Sequence, residues 1–243
     1  MYRYETHAHT SEASKCGHIS AAEGVRMYHE AGYQGMVFTD HFNVSNMEPY
    51  GDVPWEEKVD RFLDGYRNAR AVAAQYDMDV FWGIEIRFTE NDNDYLVYGI
   101  DEEFLKKHDD ILSWSITEFM ESLSGRDDVL VYQAHPYRKG CNPLIPPVVD
   151  GFEIYNGNPR HDSQNALAAS VAKEHQLLIL SGSDFHRTTD LATGGVVFPK
   201  RISSIGEFVE AVRSIDSASL IMGGEVNHAI VNQPSIHPIE TNR

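Results

Sequence analysis

The chain has 243 residues, 42% hydrophobic and 23% charged, the balance of a globular protein that buries a sizeable core. Twenty Lys and Arg stand against 37 Asp and Glu, a formal charge of −17, so a long nucleic acid held through basic patches is not an expected partner. No apolar run approaches the ~18 residues of a membrane span. The two cysteines, Cys16 and Cys141, make no disulfide framework, and "MYRYETHAH" lacks the basic-then-apolar plan of a signal peptide, so a cytoplasmic protein is expected.

In chain order, "YRYET" reads as a first strand that runs into His7 and His9. Ser20 and Glu23 carry the signature of a capping box, opening a helix that Gly32 stops. "GMVFTD" (Gly35–Asp40) is a buried strand. Trp55, Val59, Phe62, Leu63, Tyr66, Ala69 and Val72 share helical spacing. "DVFWGIEI" (Asp79–Ile86) and "DYLVYGI" (Asp94–Ile100) read as strands, "ITEFMESL" as a helix, and "VLVYQAH" and "VDGFEIYN" as strands. "DSQNALAASVAKEH" is a helix, "QLLILSGSD" a strand, "SIGEFVEAVRSI" a late helix and "SASLIMGG" a last strand. "CNPLIPPVVD" is a Pro-rich loop. No linker or repeat marks a boundary, so one domain over residues 1–243 is expected. The alternation predicts an α/β protein with a parallel sheet and helices outside it.

Metal-capable residues gather at the strand exits: His7 and His9, Asp40 and His41, Glu85, His135, and Asp184 with His186; Asn156 ends a further strand. In a parallel barrel these exits share one rim, the usual place of an active site. In "HAH" and "DFH" the paired residues are two apart and so point to one face of a strand. Glu85 ends an apolar strand, where an unpaired carboxylate is rare. Together these features predict metal ligation. His29, His108, His161, His175, His228 and His237 lack such placement, and Cys16 in "KCGH" reads as a turn residue.

The ordered set "HAHT", "TDH", "GIE", "AHP" and "GSDFH", spanning residues 7–186, resembles the PHP (polymerase and histidinol phosphatase) superfamily. The resemblance implies a distorted (βα)7 TIM-like barrel with two or three divalent ions, zinc, manganese or iron. It also implies a ligand distribution. His7 and His9 would hold a first ion with Glu85 and Asp184. Glu85 would bridge to a second ion, which His135 also holds. His41 and His186 would hold a third, with His18 in the place of a further ligand. The family's second ion takes another histidine from the strand after "GIE". "NDNDYLVYGID" has none, which leaves Asp94, Tyr95, Asp101 or water. That ion is therefore expected to bind most weakly.

Six neutral histidines and two carboxylates around three divalent ions leave an electropositive site, suited to a phosphate dianion. The leading reading is hydrolysis of a small phosphomonoester by a hydroxide bridging two ions. Glu85, Asp184 and His186 are the catalytic candidates, and Arg138 and Arg160 the candidate grips on substrate. The alternatives are an exonuclease or phosphodiesterase acting on short nucleic acid, a metal-dependent amidohydrolase, and a metal-holding regulatory module without turnover. No lysine ends a strand to suit the amidohydrolase. The sequence assigns no oligomeric state.

Overall fold

The computed structural model describes residues 1–213, 219–223 and 225–227. The elements run β1 (Tyr2–Ala8), α1 (Ala21–Glu30), β2 (Gly35–Phe38), β3 (His41–Phe42), α2 (Val44–Met47), α3 (Trp55–Phe62), α4 (Asp64–Ala73), β4 (Asp79–Ile86) and β5 (Tyr95–Tyr98). They continue with α5 (Glu102–Lys107), α6 (Ile116–Ser122), β6 (Leu130–Gln133), β7 (Gly151–Asn156), α7 (Asn165–Glu174) and β8 (Leu178–Gly182). β9 (Gly194–Phe198), α8 (Ile205–Arg213), β10 (Ser219–Met222) and β11 (Glu225–Asn227) complete the chain order. His228 and His237 lie outside the described residues.

The barrel wall is the series β1-β2-β4-β5-β6-β7-β8. It closes where Ala8 bridges to Phe185: Phe185 N donates to His7 O at 3.1 Å and His9 N donates to Phe185 O at 2.9 Å. This is an α/β protein with a distorted, nearly closed TIM-like barrel. Six wall strands are parallel, but β5 runs antiparallel to β4 and β6, correcting the all-parallel expectation. The connection over residues 87–94 is too short for a crossover of a dozen or more residues, so the chain makes a hairpin. β9 was not among the expected strands. It pairs antiparallel with the first half of β1 and fills the wall below the closure. Among the described residues, no helix is long and apolar enough to cross a membrane.

The long helical run expected from Trp55 breaks at Leu63 into α3 and α4. Ser20 caps α1 by accepting from Glu23 N, but the Glu23 carboxylate turns to Arg26, so the capping box is one-sided. The core forms on both faces of the wall. Tyr98, Phe152, Phe198 and Phe208 belong to one buried cluster, and Val25, Tyr28, Met36, Phe38 and Phe185 to another that joins α1 to the sheet.

Two irregularities position the site. Along β1, Glu5 pairs with Met36 but Ala8 pairs with Phe38, so three steps on one strand match two on the other. Such a bulge re-aims side chains and takes N–H groups out of the ladder. The buried Glu5 carboxylate collects them: its Oε1 accepts from the backbone N of Thr6, His7 and Ser183, each at 2.9 Å. Its Oε2 accepts from Tyr28 Oη at 2.6 Å and from Ser183 Oγ. Burial still holds its pKa above the usual carboxylate range. Tyr28→Phe removes one of these donors and is expected to cost about 1–3 kcal/mol of stability. Thermal unfolding of the metal-free protein checks this; an unchanged midpoint would exclude a structural role for the contact. A second bulge between Glu153 and Tyr155 on β7 places another buried carboxylate, Glu153.

Candidate metal centre

The exits of β1, β2, β4, β6 and β8 bring His7, His9, His41, Glu85, His135, Asp184 and His186 to one rim. Their donor atoms form two close groups, His7/His9/Glu85 and His9/His41/His186, with one donor atom from each residue within 4.8 Å of the others. A third group is His41, Glu85 and Asp94. His7, His9, Glu85 and Asp184 are at most 1% exposed. Packing depends on Gly182, where any Cβ would collide with that of His7.

Hydrogen bonds fix which ring nitrogens face inward. His7 Nδ1 donates to Glu153 Oε1 at 2.8 Å, leaving Nε2 toward Glu85 and Asp184. Ser14 Oγ spends its one proton on Asp40 Oδ1, so His9 Nδ1, 3.3 Å from that oxygen, is the donor there. His9 Nε2 is then a free lone pair, 3.3 Å from Asp184 Oδ1 and 3.4 Å from Glu85 Oε2. His186 Nδ1 donates to the Asp184 carbonyl at 2.8 Å, which leaves its Nε2 as acceptor.

The inward atoms do not satisfy one another. His7 Nε2, His9 Nε2, His41 Nδ1 and Glu85 Oε2 are buried with no hydrogen-bond partner. Even the 2.7 Å approach of His41 Nδ1 to Glu85 Oε2 lacks hydrogen-bond geometry. Buried polar atoms are normally paired, and lone pairs converging on a common space are the donor set of a cation. The charges agree. Glu85, Asp94, Glu153 and Asp184 are all buried, and only Asp94 and Asp184 have guanidinium partners, Arg87 and Arg138. Burial would raise Glu85, yet His41, His7 and His135 hold it well below the usual carboxylate range. Burial would lower His7, yet Glu153, Glu85 and Asp184 raise it well above its ordinary value. Burial and the neighbouring rings hold His9 well below, as a neutral ligand requires. The site calls for positive charge, and the residues present fit divalent ions.

His135 and Asp184 sit at φ 31° and 52°, in the left-handed region that costs a non-glycine residue energy. Such strain clusters at functional sites. His135 is held there by Glu153 Oε2, which accepts its backbone N at 2.9 Å. Glu153 thus orients one ring and one backbone, and the sequence reading passed over it. Its signal was a carboxylate in the middle of the apolar strand "GFEIY". Glu153→Ala is expected to weaken metal binding about 10- to 100-fold, as loss of a ligand-orienting partner does; competition with a colorimetric chelator measures it.

The structure gathers other expected residues differently. His18 is exposed and outside all three groups, because the turn closed by Gly17 N on Ser14 O and His18 N on His186 O directs its side chain away. Cys16 comes inward instead, with Sγ 3.1 Å from His186 Nε2. Asp101 lies at the far end of the antiparallel β5, where it caps α5 by accepting from Phe104 N. Tyr95 is buried, and its hydroxyl accepts from Asn93 Nδ2. Asp94 stands at the rim, its Oδ2 3.9 Å from His135 Nε2, and chelates Arg87 at 2.8 and 2.5 Å. Arg138 Nη2 donates to Asp184 Oδ2 at 2.6 Å and to Asn156 Oδ1 at 2.9 Å, while its Nε is buried without a partner. Arg160 is committed to Asp190, whose Oδ2 in turn accepts from His186 N.

Comparison with known proteins bears on the fold and on the family resemblance. A PHP-associated family model matches residues 162–216, from α7 through the "GSDFH" exit to α8. No curated protein matches the chain. A candidate metal-dependent phosphoesterase from Bifidobacterium adolescentis shares the fold at a TM-score of 0.52 and 16% identity, over 76% of this chain and 87% of that one. A two-domain protein from Bacteroides vulgatus containing a predicted PHP-like metal-dependent phosphoesterase matches at 0.64 and 14%, over 93% of this chain and 66% of its own. An amidohydrolase from Chromobacterium violaceum, solved with sulfate and no metal, matches at 0.54 and 16%, over 86% and 96%. At these identities the likeness is one of fold. The family match and the ordered motifs on one rim support the resemblance to the PHP superfamily.

Proposed function

We propose that the protein is a metal-dependent hydrolase of small phosphomonoesters. The observation that carries this reading is the set of buried donor atoms without hydrogen-bond partners at the barrel mouth. His7, His9, Glu85 and Asp184 would hold one ion; Glu85, Asp94 and His135 a second; His41 and His186 stand at a third position. Bound divalent ions acidify water and neutralise the oxygens of a transferring phosphoryl group. The chain's own part is to fix the ligands. Glu153 and Ser14 set the tautomers of His7 and His9. Arg138 takes Asp184 Oδ2, leaving Oδ1 toward His7 and His9. The same guanidinium keeps an unpartnered buried Nε, a donor suited to a phosphate oxygen. The fold neighbour from Chromobacterium holds sulfate, also a tetrahedral oxyanion.

The test is a panel of phosphomonoesters, including a generic aryl phosphate, offered to protein loaded with zinc or manganese. Turnover that disappears with chelator and returns with metal is expected. Silence on the panel with the ions bound would sink the reading. Turnover of an amide, or shortening of a labelled oligonucleotide from one end, would replace it.

A further inference from the structure

Cys16 is exposed on one side, and its Sγ lies 3.1 Å from His186 Nε2 on the other. That nitrogen carries a lone pair, because Nδ1 of the same ring is spent on the Asp184 carbonyl. The His9 ring lies between its neighbours, 4.2 Å from the His41 ring and 4.1 Å from the His186 ring, with its buried Nε2 unpartnered. His9, His41 and His186 already form a group close enough to share one ion. The loop brings the sulfur there by design of its backbone. Ser14 N donates to Thr10 O, Gly17 N to Ser14 O and His18 N to His186 O, and a Cβ at Gly17 would strike the Thr10 carbonyl. This coil turns residue 16 toward the rings and residue 18 toward solvent. Nitrogen and sulfur donors on one tetrahedral zinc ion stand roughly 3.5 Å apart, from bonds of about 2.0 and 2.3 Å. The Cys16–His186 spacing is of that kind.

We infer that Cys16, not His18, completes the third position as a thiolate donor beside His41 and His186, with His9 at its edge, forming a nitrogen–sulfur site for a borderline-soft divalent ion such as zinc. The inference rests on the metal-centre reading above. It also divides the centre by chemistry. The neighbouring position of Glu85, Asp94 and His135 is oxygen-rich and suits harder ions such as manganese, whereas thiolate and imidazole select zinc.

Cobalt(II) titration of the full chain tests this without any assay of turnover. A thiolate ligand gives cobalt(II) an intense near-ultraviolet charge-transfer band. The band is expected in the wild type, in His18→Ala and in Cys141→Ser, and is expected to vanish in Cys16→Ser together with one bound equivalent of cobalt. In the wild type, zinc should also protect Cys16 from iodoacetamide, read by peptide mass spectrometry against the same peptide from metal-stripped protein. This arm stands even if Cys16→Ser fails to fold. Cobalt bound without the band, a band that survives in Cys16→Ser, or Cys16 alkylated equally with and without zinc would overturn the inference and leave the metal centre standing. Failure of the wild type to bind any cobalt or zinc would overturn both.

Discussion

Glu85→Gln is expected to lower turnover at least a hundredfold and to deplete more bound metal than any other single change at the rim. Glu85 is fully buried and belongs to two of the three donor groups. Its Oε1 lies 3.1 Å from His135 Nε2 and 3.3 Å from His7 Nε2, and its Oε2 2.7 Å from His41 Nδ1 and 3.4 Å from His9 Nε2. Among the described residues, no other carboxylate stands between so many imidazoles. With ions bound, its charge would lie between cations, and an amide that keeps the shape removes that charge. The expected loss exceeds the 10- to 100-fold of a residue that only orients a ligand. The loss extends to the protein without ions. His41, His7 and His135 hold the Glu85 carboxyl well below its usual range, so its charge favours the folded apoprotein at neutral pH. The thermal midpoint of stripped Glu85→Gln should therefore fall below that of stripped wild type, and the rise produced by added metal, which follows mass action, should largely vanish. Full metal content with near-normal turnover would refute the bridging role.

How far the sequence spoke depended on the period of its signals. The rim was legible because strand residues two apart share a face, so "HAH" and "DFH" announced their common direction, and because Glu85, His135 and Asp184 each follow an apolar run. Glu5 and Glu153 were as visible, each a carboxylate inside a strand, but the reading looked only at strand ends. Their importance comes from bulges, and a bulge is a property of two strands in register, which one strand does not encode. The loop after His9 was hard to read for a different reason. Cys16 and His18 are both plausible donors by type, and which of them lies beside the rings is set by the coil that Gly17 permits against Thr10. The direction of β5 was recoverable from connection length alone: residues 87–94 cannot carry a crossover. That one correction moves Asp94 to the rim and Asp101 away from it.

Asp94 carries the second large expectation. Under graded chelation one ion should leave before the others, and Asp94→Ala should weaken that ion about a hundredfold while the rest stay. The antiparallel hairpin places Asp94 beside Glu85, in a group with His41, and 3.9 Å from His135 Nε2. It thus stands where a further nitrogen donor would otherwise be needed. It is a compromised ligand, however. Arg87 grips both its oxygens, and the guanidinium brings a positive charge next to the ion's position. A carboxylate shared with arginine gives less to a cation than a free one, and Coulomb repulsion from Arg87 adds to the cost. The other two positions are less burdened: Arg138 takes only Oδ2 of Asp184, leaving Oδ1 beside His7 and His9, and the third position would rest on His41, His186 and the neighbouring thiol. The expected order of loss follows from that contrast, and excess manganese in the assay should raise turnover by refilling the second position. In Asp94→Ala the same excess should restore activity only in part, since Glu85 and His135 alone remain there. Stepwise metal analysis during dialysis against a weak chelator reads the order directly. Three ions lost together, or an Asp94→Ala protein that keeps wild-type affinity at every position, would show that Asp94 serves Arg87 alone.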